Sequence, residues 1–205
     1  MVLMRQAFLR CVLATAIAVA PALPAMAGES RVTRTAITIG NFGEVTPTYY
    51  RGEQPKGSEY ASLAAFGIKT VIDLQADGQS SEKSQVEKAG MQFHRIGMTT
   101  HTAPTKAQIA EFLKLVNDPA NQPVYVHCAG GKHRTGVMTA IYRMTNDKWT
   151  PDQAFREMKQ YKFGADFLHS EFKQFVYGFR NEPSTPAAAV PGGVIATATP
   201  AVTVN

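Results

Sequence analysis

Residues 127–136, His-Cys-Ala-Gly-Gly-Lys-His-Arg-Thr-Gly, gather one thiol, two imidazoles, two cations, a hydroxyl and three glycines within ten positions. An apolar run, "VYV", leads into them, and a helical period resumes at Thr135. A strand, a glycine-rich turn and a helix N-terminus in that order make an anion cradle, because successive backbone N–H groups and the positive end of the helix converge on one centre. Gly130 and Gly131 carry no Cβ, so the backbone can take positive φ and approach a ligand closely. The same field favours thiolate over thiol, which makes Cys128 a nucleophile near neutral pH. His127 is read as a further donor to that network. Arg134, six positions after Cys128, can fold back and hold two oxygens of a phosphoryl group in a fork that lysine does not reproduce. Thr135 can donate its hydroxyl to the sulfur and make it a better leaving group when a phospho-cysteine breaks down. Lys132 and His133 bring charge toward a multiply phosphorylated ligand.

A cysteine with an arginine six residues later is common. His127, Cys128, Gly131, Arg134, Thr135 and Gly136 fixed together arise by chance at roughly one position in 10⁸ from average residue usage, which argues against a basic surface turn. The flanking sequence supplies elements able to position such a loop. "AITIGNF" (36–42) and "TYYRGEQ" (48–54) are expected as short strands around a turn at Pro47, and "GSEYASLAAFGI" (57–68) as a helix with Tyr60, Leu63 and Ala64 on one face. "KTVIDLQ" (69–75) and "MQFHRIG" (91–97) are expected as strands around a polar helix stopped by Gly90. Thr105 and Gln108 have capping-box spacing, followed by Ile109, Phe112, Leu113 and Val116 at helical period. Residues 122–127 form the strand into the loop, and 135–144 the helix out of it. Thr150, Pro151 and Gln153 open another helix, which Gly164 closes, and a last one is expected from about Asp166 with Leu168, Phe172, Phe175, Val176 and Phe179 on one stripe. Strands alternating with helices predict an α/β domain with a mainly parallel central sheet flanked by helices and a helical C-terminal half. In such sheets sites lie at the carboxyl ends of strands, where Cys128 falls.

"HCAGGKHRTG" resembles the H-C-x5-R-[S/T] phosphate loop of the cysteine-dependent phosphatases of the protein tyrosine phosphatase superfamily. It is most similar to the compact dual-specificity group, and "GKHRTG" resembles that group's atypical plant-and-fungal branch. "YYRGEQP", "FGIKTVIDLQ", "APTKAQIAEFLKLV" and "EMKQYKFG" look like further landmarks of such domains, so the resemblance extends over about residues 36–180. It implies Cys128 as nucleophile, Arg134 as binder of phosphate and transition state, and Thr135 as an aid to hydrolysis of the thiophosphate. The amides of Ala129, Gly130, Gly131, Lys132, His133 and Arg134 would hold the oxygens, and no metal or other cofactor is required. The family usually protonates the leaving oxygen with an aspartate on the loop ahead of the helix that precedes the cysteine strand. Here that loop reads "GMTTHTAPT", and no acid occurs between Glu87 and Glu111. His101 is its titratable side chain and the expected acid; His133 and Asp166 are alternatives, and Asp73 is read as a loop anchor. Without a dedicated acid, aryl phosphates and phosphoanhydrides would be hydrolysed far better than alkyl phosphates.

The chain ends carry other signals. Residues 1–27 hold Arg5 and Arg10, the apolar stretch "CVLATAIAVA" and small residues at Ala25 and Ala27, the pattern of a cleavable secretory signal. Residues 183–205 lack charge and aromatic residues and are expected as a disordered tail. One phosphatase domain over 28–182 is left. No later stretch approaches the roughly 20 apolar residues of a membrane span. The formal charge of +5 falls to +3 once the two signal arginines leave, and no long basic run suggests nucleic acid. Cys11 leaves too, so an exported, bacterial-type protein, periplasmic or secreted, is expected to carry Cys128 alone, a thiol that needs a reason in an oxidising compartment. The leading expectation is hydrolysis of phosphotyrosine or phosphoserine/threonine in proteins. Inositol phosphates or related small phosphorylated polyanions are the alternative substrates, and a catalytically weak phosphate-binding module the alternative class.

Overall fold

The computed structural model describes residues 37–180; the expected signal at 1–27 and tail at 183–205 lie outside them. The chain runs β1 (Gly43–Thr46), β2 (Tyr49–Glu53), α1 (Glu59–Phe66), β3 (Thr70–Gln75), α2 (Glu82–Lys88), β4 (Gln92–Met98), α3 (Lys106–Asn117), β5 (Val124–Cys128), α4 (Arg134–Asn146), α5 (Pro151–Gln160) and α6 (Ser170–Gly178). The five strands form one sheet in the order β1-β2-β5-β3-β4. β1 pairs antiparallel with β2, and the remaining neighbours are parallel, as the alternation of strands and helices predicts.

β5 is central and buried along its whole length, which is why it reads as an uninterrupted apolar run. Alternate residues of a strand face opposite sides of a sheet. Val124, Val126 and Cys128 therefore pack with Phe112, Val137, Ile141, Met158 and Phe172 of α3–α6. Tyr125 belongs to the second core, with Tyr60, Leu63 and Val86 of α1 and α2. α3 and α5 each begin in a complete capping box, Thr105 with Gln108 and Thr150 with Gln153, as the spacing predicts.

Two elements differ from expectation. The first strand is Gly43–Thr46, not 36–42: residues 37–42 carry no strand, because Asn41 sits at φ +56 and the chain turns there. The last helix starts at Ser170, not near Asp166. Asp166 is clamped between Lys159 and Lys173, 2.7 Å from each, and the segment around it is a turn in which Phe167 and Leu168 are exposed. Leu168 is thus outside the apolar stripe, which Phe172 and Val176 carry.

Candidate active site

Cys128 ends β5, is 4 % exposed and is a free thiol. Residues 129–133 leave the strand as a bend, and α4 starts at Arg134 with His133 in the N-cap position. What shapes this loop is how its carbonyls are held. Gln54 N–H donates to Ala129 O at 3.3 Å. Asn41 Nδ2 donates to Gly131 O at 2.9 Å and, more loosely, to Gly130 O at 3.4 Å. Arg51 Nη2 donates to Gly131 O at 2.7 Å. In a planar trans peptide the carbonyl of one residue is opposed to the N–H of the next. Drawing the carbonyls of residues 129–131 toward β2 and Asn41 therefore turns the N–H groups of Gly130, Gly131 and Lys132 to the opposite side. Gly131 takes φ +61, and its Cα is pressed so closely on the backbone of Gly52 that only glycine fits.

Arg51 is the least expected part of this frame. Its side chain is fully buried, its guanidinium lies 4.1 Å from the centroid of the Tyr161 ring, and its Nε and Nη1 make no hydrogen bond. Burial disfavours its charged form and lowers its pKa from the ordinary arginine value. A cation buried this way, joined to the loop by one carbonyl, puts positive potential behind the anion cradle.

Arg134 is also nearly buried, at 4 % exposure. Its Nη1 donates to Asp77 Oδ1 at 2.7 Å and to Met98 O at 3.2 Å. With Nη1 tied to the β3–α2 loop and the end of β4, the Nε and Nη2 edge is left for a fork on two oxygens. The contact with Arg134 holds the Asp77 carboxyl below its ordinary range, so Asp77 is a carboxylate at neutral pH and not a proton donor. It acts as an orienter of Arg134. Its side chain is 73 % exposed, and such pairs are worth about 0.2–1 kcal/mol. Asp77→Asn is expected to lower kcat/KM on an aryl phosphate two- to fivefold, on that same scale, while leaving the melting temperature nearly unchanged; steady-state kinetics and a thermal melt check it.

The remaining expected residues are placed as follows. Thr135 Oγ1 is buried but makes no hydrogen bond, to Cys128 or to any other group. Lys132 is exposed on the loop. His133 does not face a ligand as a cation: its Nε2 lies 2.9 Å from Phe163 O, a bond that uses the ring proton. Burial, with His169 nearby, lowers its pKa from the ordinary histidine value, against the bond to Phe163, which favours the neutral ring. Its observed role is to fasten the loop to the segment after α5. Asp166 is held ionised by its two lysines and caps no helix, which removes it as an acid.

His127 is not part of the cradle. Being adjacent to Cys128 on a strand, it points to the other face, fully buried, with Nε2 2.9 Å from Glu82 Oε1 and Nδ1 3.9 Å from Asp73 Oδ1. Tyr60 donates to Glu82 and Arg95 to Asp73, so these groups form a buried polar cluster beside α2. Asp73 anchors the end of β3, accepting from the Gln75 N–H at 2.9 Å. His101 is 73 % exposed and turns toward α6, its Nδ1 3.7 Å from Glu171 Oε1 and its ring stacked on His169. Asp77, Arg51 and Asn41 were not foreseen. Their partners lie 57, 80 and 90 positions away along the chain, and only the "YYRGEQP" landmark marked one of them.

Comparison with known proteins agrees with this geometry. A family model described as a DSP-PTPase phosphatase fused to NAD+ kinase matches residues 30–175. The chain is 29 % identical over 126 residues to inositol diphosphatase DSP2 of Oryza sativa, covering 59 % of this chain and 61 % of that protein. It is 26 % identical over 140 residues to the dual specificity protein phosphatase TpbA of Pseudomonas aeruginosa, covering 67 % and 62 %. The chain therefore spans about three fifths of the length of each of these relatives. The structure of a cysteine-to-serine variant of TpbA in complex with phosphotyrosine superposes with a TM-score of 0.58 at 22 % identity over 71 % of this chain and 92 % of that one, a likeness of fold.

Proposed function

This chain belongs to the family of DSP-PTPase phosphatase domains, and from that premise we propose that it hydrolyses phosphate monoesters, phosphotyrosine and phosphoserine/threonine of proteins, through a phospho-cysteine intermediate. The observation that carries the reading is the loop itself: its carbonyls are drawn to Asn41, Arg51 and Gln54, and its amides turn away from them between Cys128 and the N-terminus of α4. In the proposed reaction the Cys128 thiolate forms a bond to phosphorus as the bond to the leaving oxygen breaks. The amides and the free edge of Arg134 hold the three remaining oxygens, where charge accumulates in the transition state. Water then attacks phosphorus, the S–P bond breaks, and the Thr135 hydroxyl, which has no other partner, supports the departing sulfur. Inorganic phosphate leaves and the thiolate is restored.

The carboxylate that touches Arg134, Asp77, is ionised and supplies no proton to the leaving group, and His101, the acid expected from the sequence, is turned toward Glu171 and His169. Substrates whose leaving oxygen is stable without a proton are accordingly favoured: aryl phosphates over alkyl phosphates, hence phosphotyrosine over phosphoserine. The same argument favours phosphoanhydrides, and with Lys132 exposed on the loop it supports a second reading, inositol phosphates carrying a diphosphate, the substrate class in the name of the rice relative.

The test is phosphate release by the full chain under reductant across phosphotyrosine and phosphoserine peptides, an aryl phosphate and an inositol phosphate series with and without a diphosphate. Faster turnover of phosphotyrosine than of the inositol series supports the first reading, and the reverse the second. Binding of phosphorylated ligands without release of phosphate from any of them leaves a binding module. Residues 1–27 are proposed as a cleaved export signal, residues 28–182 as the phosphatase domain and residues 183–205 as a disordered tail, with the mature chain periplasmic or secreted; the support is the basic, apolar and small-residue order of the first segment. A mature N-terminus at Gly28, read by Edman chemistry on protein recovered outside the cytoplasm, checks the signal.

A further inference from the structure

Glu171, in the first turn of α6, directs its Oε1 into a place where no donor meets it: the atom is buried and makes no hydrogen bond. Two imidazole nitrogens flank it, Nδ1 of His169 at 3.4 Å and Nδ1 of His101 at 3.7 Å. These separations exceed the 2.7–3.2 Å of an N–H···O bond. They are close to the distance between two ligands of one tetrahedral ion, which bonds of about 2.0–2.2 Å set at roughly 3.3–3.6 Å. One donor atom from each of the three residues lies within 4.8 Å of the others.

We propose that His101, His169 and Glu171 form a binding site for a borderline divalent metal ion, with zinc as its reference, at the junction of the 99–104 loop and the start of α6. Two imidazoles and one carboxylate are a donor set that suits zinc and its neighbours in the transition series and not magnesium or calcium, which take oxygen. With three protein ligands the fourth position is left to water, and the exposed His101 provides the entry path. The ion takes the place of the proton by which His169 Nδ1 now reaches Thr100 O at 3.2 Å. It answers the unpartnered Oε1 of Glu171 and ties two segments that otherwise meet through ring stacking and that one hydrogen bond. The second cluster of this kind among the described residues, Asp73, Glu82 and His127, is different. It is wholly buried, and its members lie within ion-pair distance of one another and of Arg95, so it offers an ion no access and its carboxylates already face a cation.

The site adjoins the phosphate loop. The His169 ring lies 3.7 Å, centroid to centroid, from that of His133, and His133 stands immediately before α4. An ion that fixes His169 also fixes the ring against which the loop residue rests. The site and the phosphatase reading can fail separately: His101, expected from the sequence as the acid, is given no step in the proposed reaction, and zinc uptake is read without turnover.

The experiment is a zinc titration of the full-length protein carrying Cys11→Ser and Cys128→Ser, stripped with chelator, against a chromophoric competitor; the two substitutions remove both thiols as rival ligands. One equivalent of zinc per chain is expected, resisted by excess magnesium, with affinity falling at least tenfold in His101→Ala and in Glu171→Gln. His101 is 73 % exposed, so its replacement leaves the fold intact, and equal melting temperatures of variant and parent in chelator verify that for both. Zinc uptake unchanged by His101→Ala and Glu171→Gln, or no uptake by the parent at micromolar free metal, overturns the proposal. Either result leaves the phosphate-release test untouched.

Discussion

Cys128→Ser is expected to abolish turnover, by about 10⁴-fold or more, the scale on which removal of a covalent nucleophile acts, while the protein still folds and still binds the anion. The side chain differs by one atom at a position only 4 % exposed, and the alternation of β5 keeps it on the same face, so the cradle is not disturbed. A hydroxyl with no adjacent base is a far weaker nucleophile than a thiolate at neutral pH. The Gly131 carbonyl stays held by Arg51 and Asn41, and the amides keep their direction. Phosphate release and equilibrium binding of a phosphotyrosine peptide should therefore separate: release lost, binding kept. Retention of release in the serine variant would remove Cys128 from the mechanism, and loss of both would mean that the substitution had damaged the loop.

Gly131→Ala should be the most damaging change in the loop that removes no functional group. At φ +61 an L-residue costs about 1–2 kcal/mol. The added methyl would lie 2.3 Å from Gly52 O and 2.8 Å from Glu53 N, both strand backbone that cannot give way without moving β2, and overpacking of that kind costs roughly 1–3 kcal/mol. Together these lower the melting temperature by on the order of 10 °C. They also displace the amides, which at about 1 Å of misplacement costs on the order of 10²-fold in rate. Gly130→Ala is the control. Gly130 is not at positive φ, and a methyl there meets only the aliphatic stem of Lys132 at 3.6 Å, so both quantities should change little. Thermal melts and aryl phosphate kinetics on the two variants read the contrast, and equal behaviour would refute the account of the loop given above.

That contrast also marks where the amino-acid order stops being informative. Gly130 and Gly131 are indistinguishable in sequence, since both are expected to supply freedom of φ. What separates them is β2, which contacts the loop only after folding. The alternating strands and helices, both capping boxes and the loop at the end of β5 were legible because their signals are local. His127 illustrates a legible signal misapplied: strand alternation alone requires it to face away from Cys128, toward Glu82 and Asp73. The start of α6 differs because the apolar period runs back through Leu168, whereas the two lysine contacts to Asp166 that hold this segment as a turn are tertiary. Asp77 could not be found from sequence, since an exposed acid after a strand looks the same whether or not an arginine 57 positions later reaches it.

Arg51 and Asn41 have a consequence for the order in which the molecule is made. They sit 80 and 90 positions ahead of the carbonyl they hold, so a ribosome delivers the clasp long before the loop it fastens. Cys128, once translated, meets a partner strand already synthesised and waiting. A fragment starting after β2 would contain Cys128, Arg134 and the whole of α4, yet would leave the Gly131 carbonyl unfastened. The ten-residue signature is therefore portable as text but not as chemistry: grafted elsewhere, it needs the arginine and asparagine that hold it from behind.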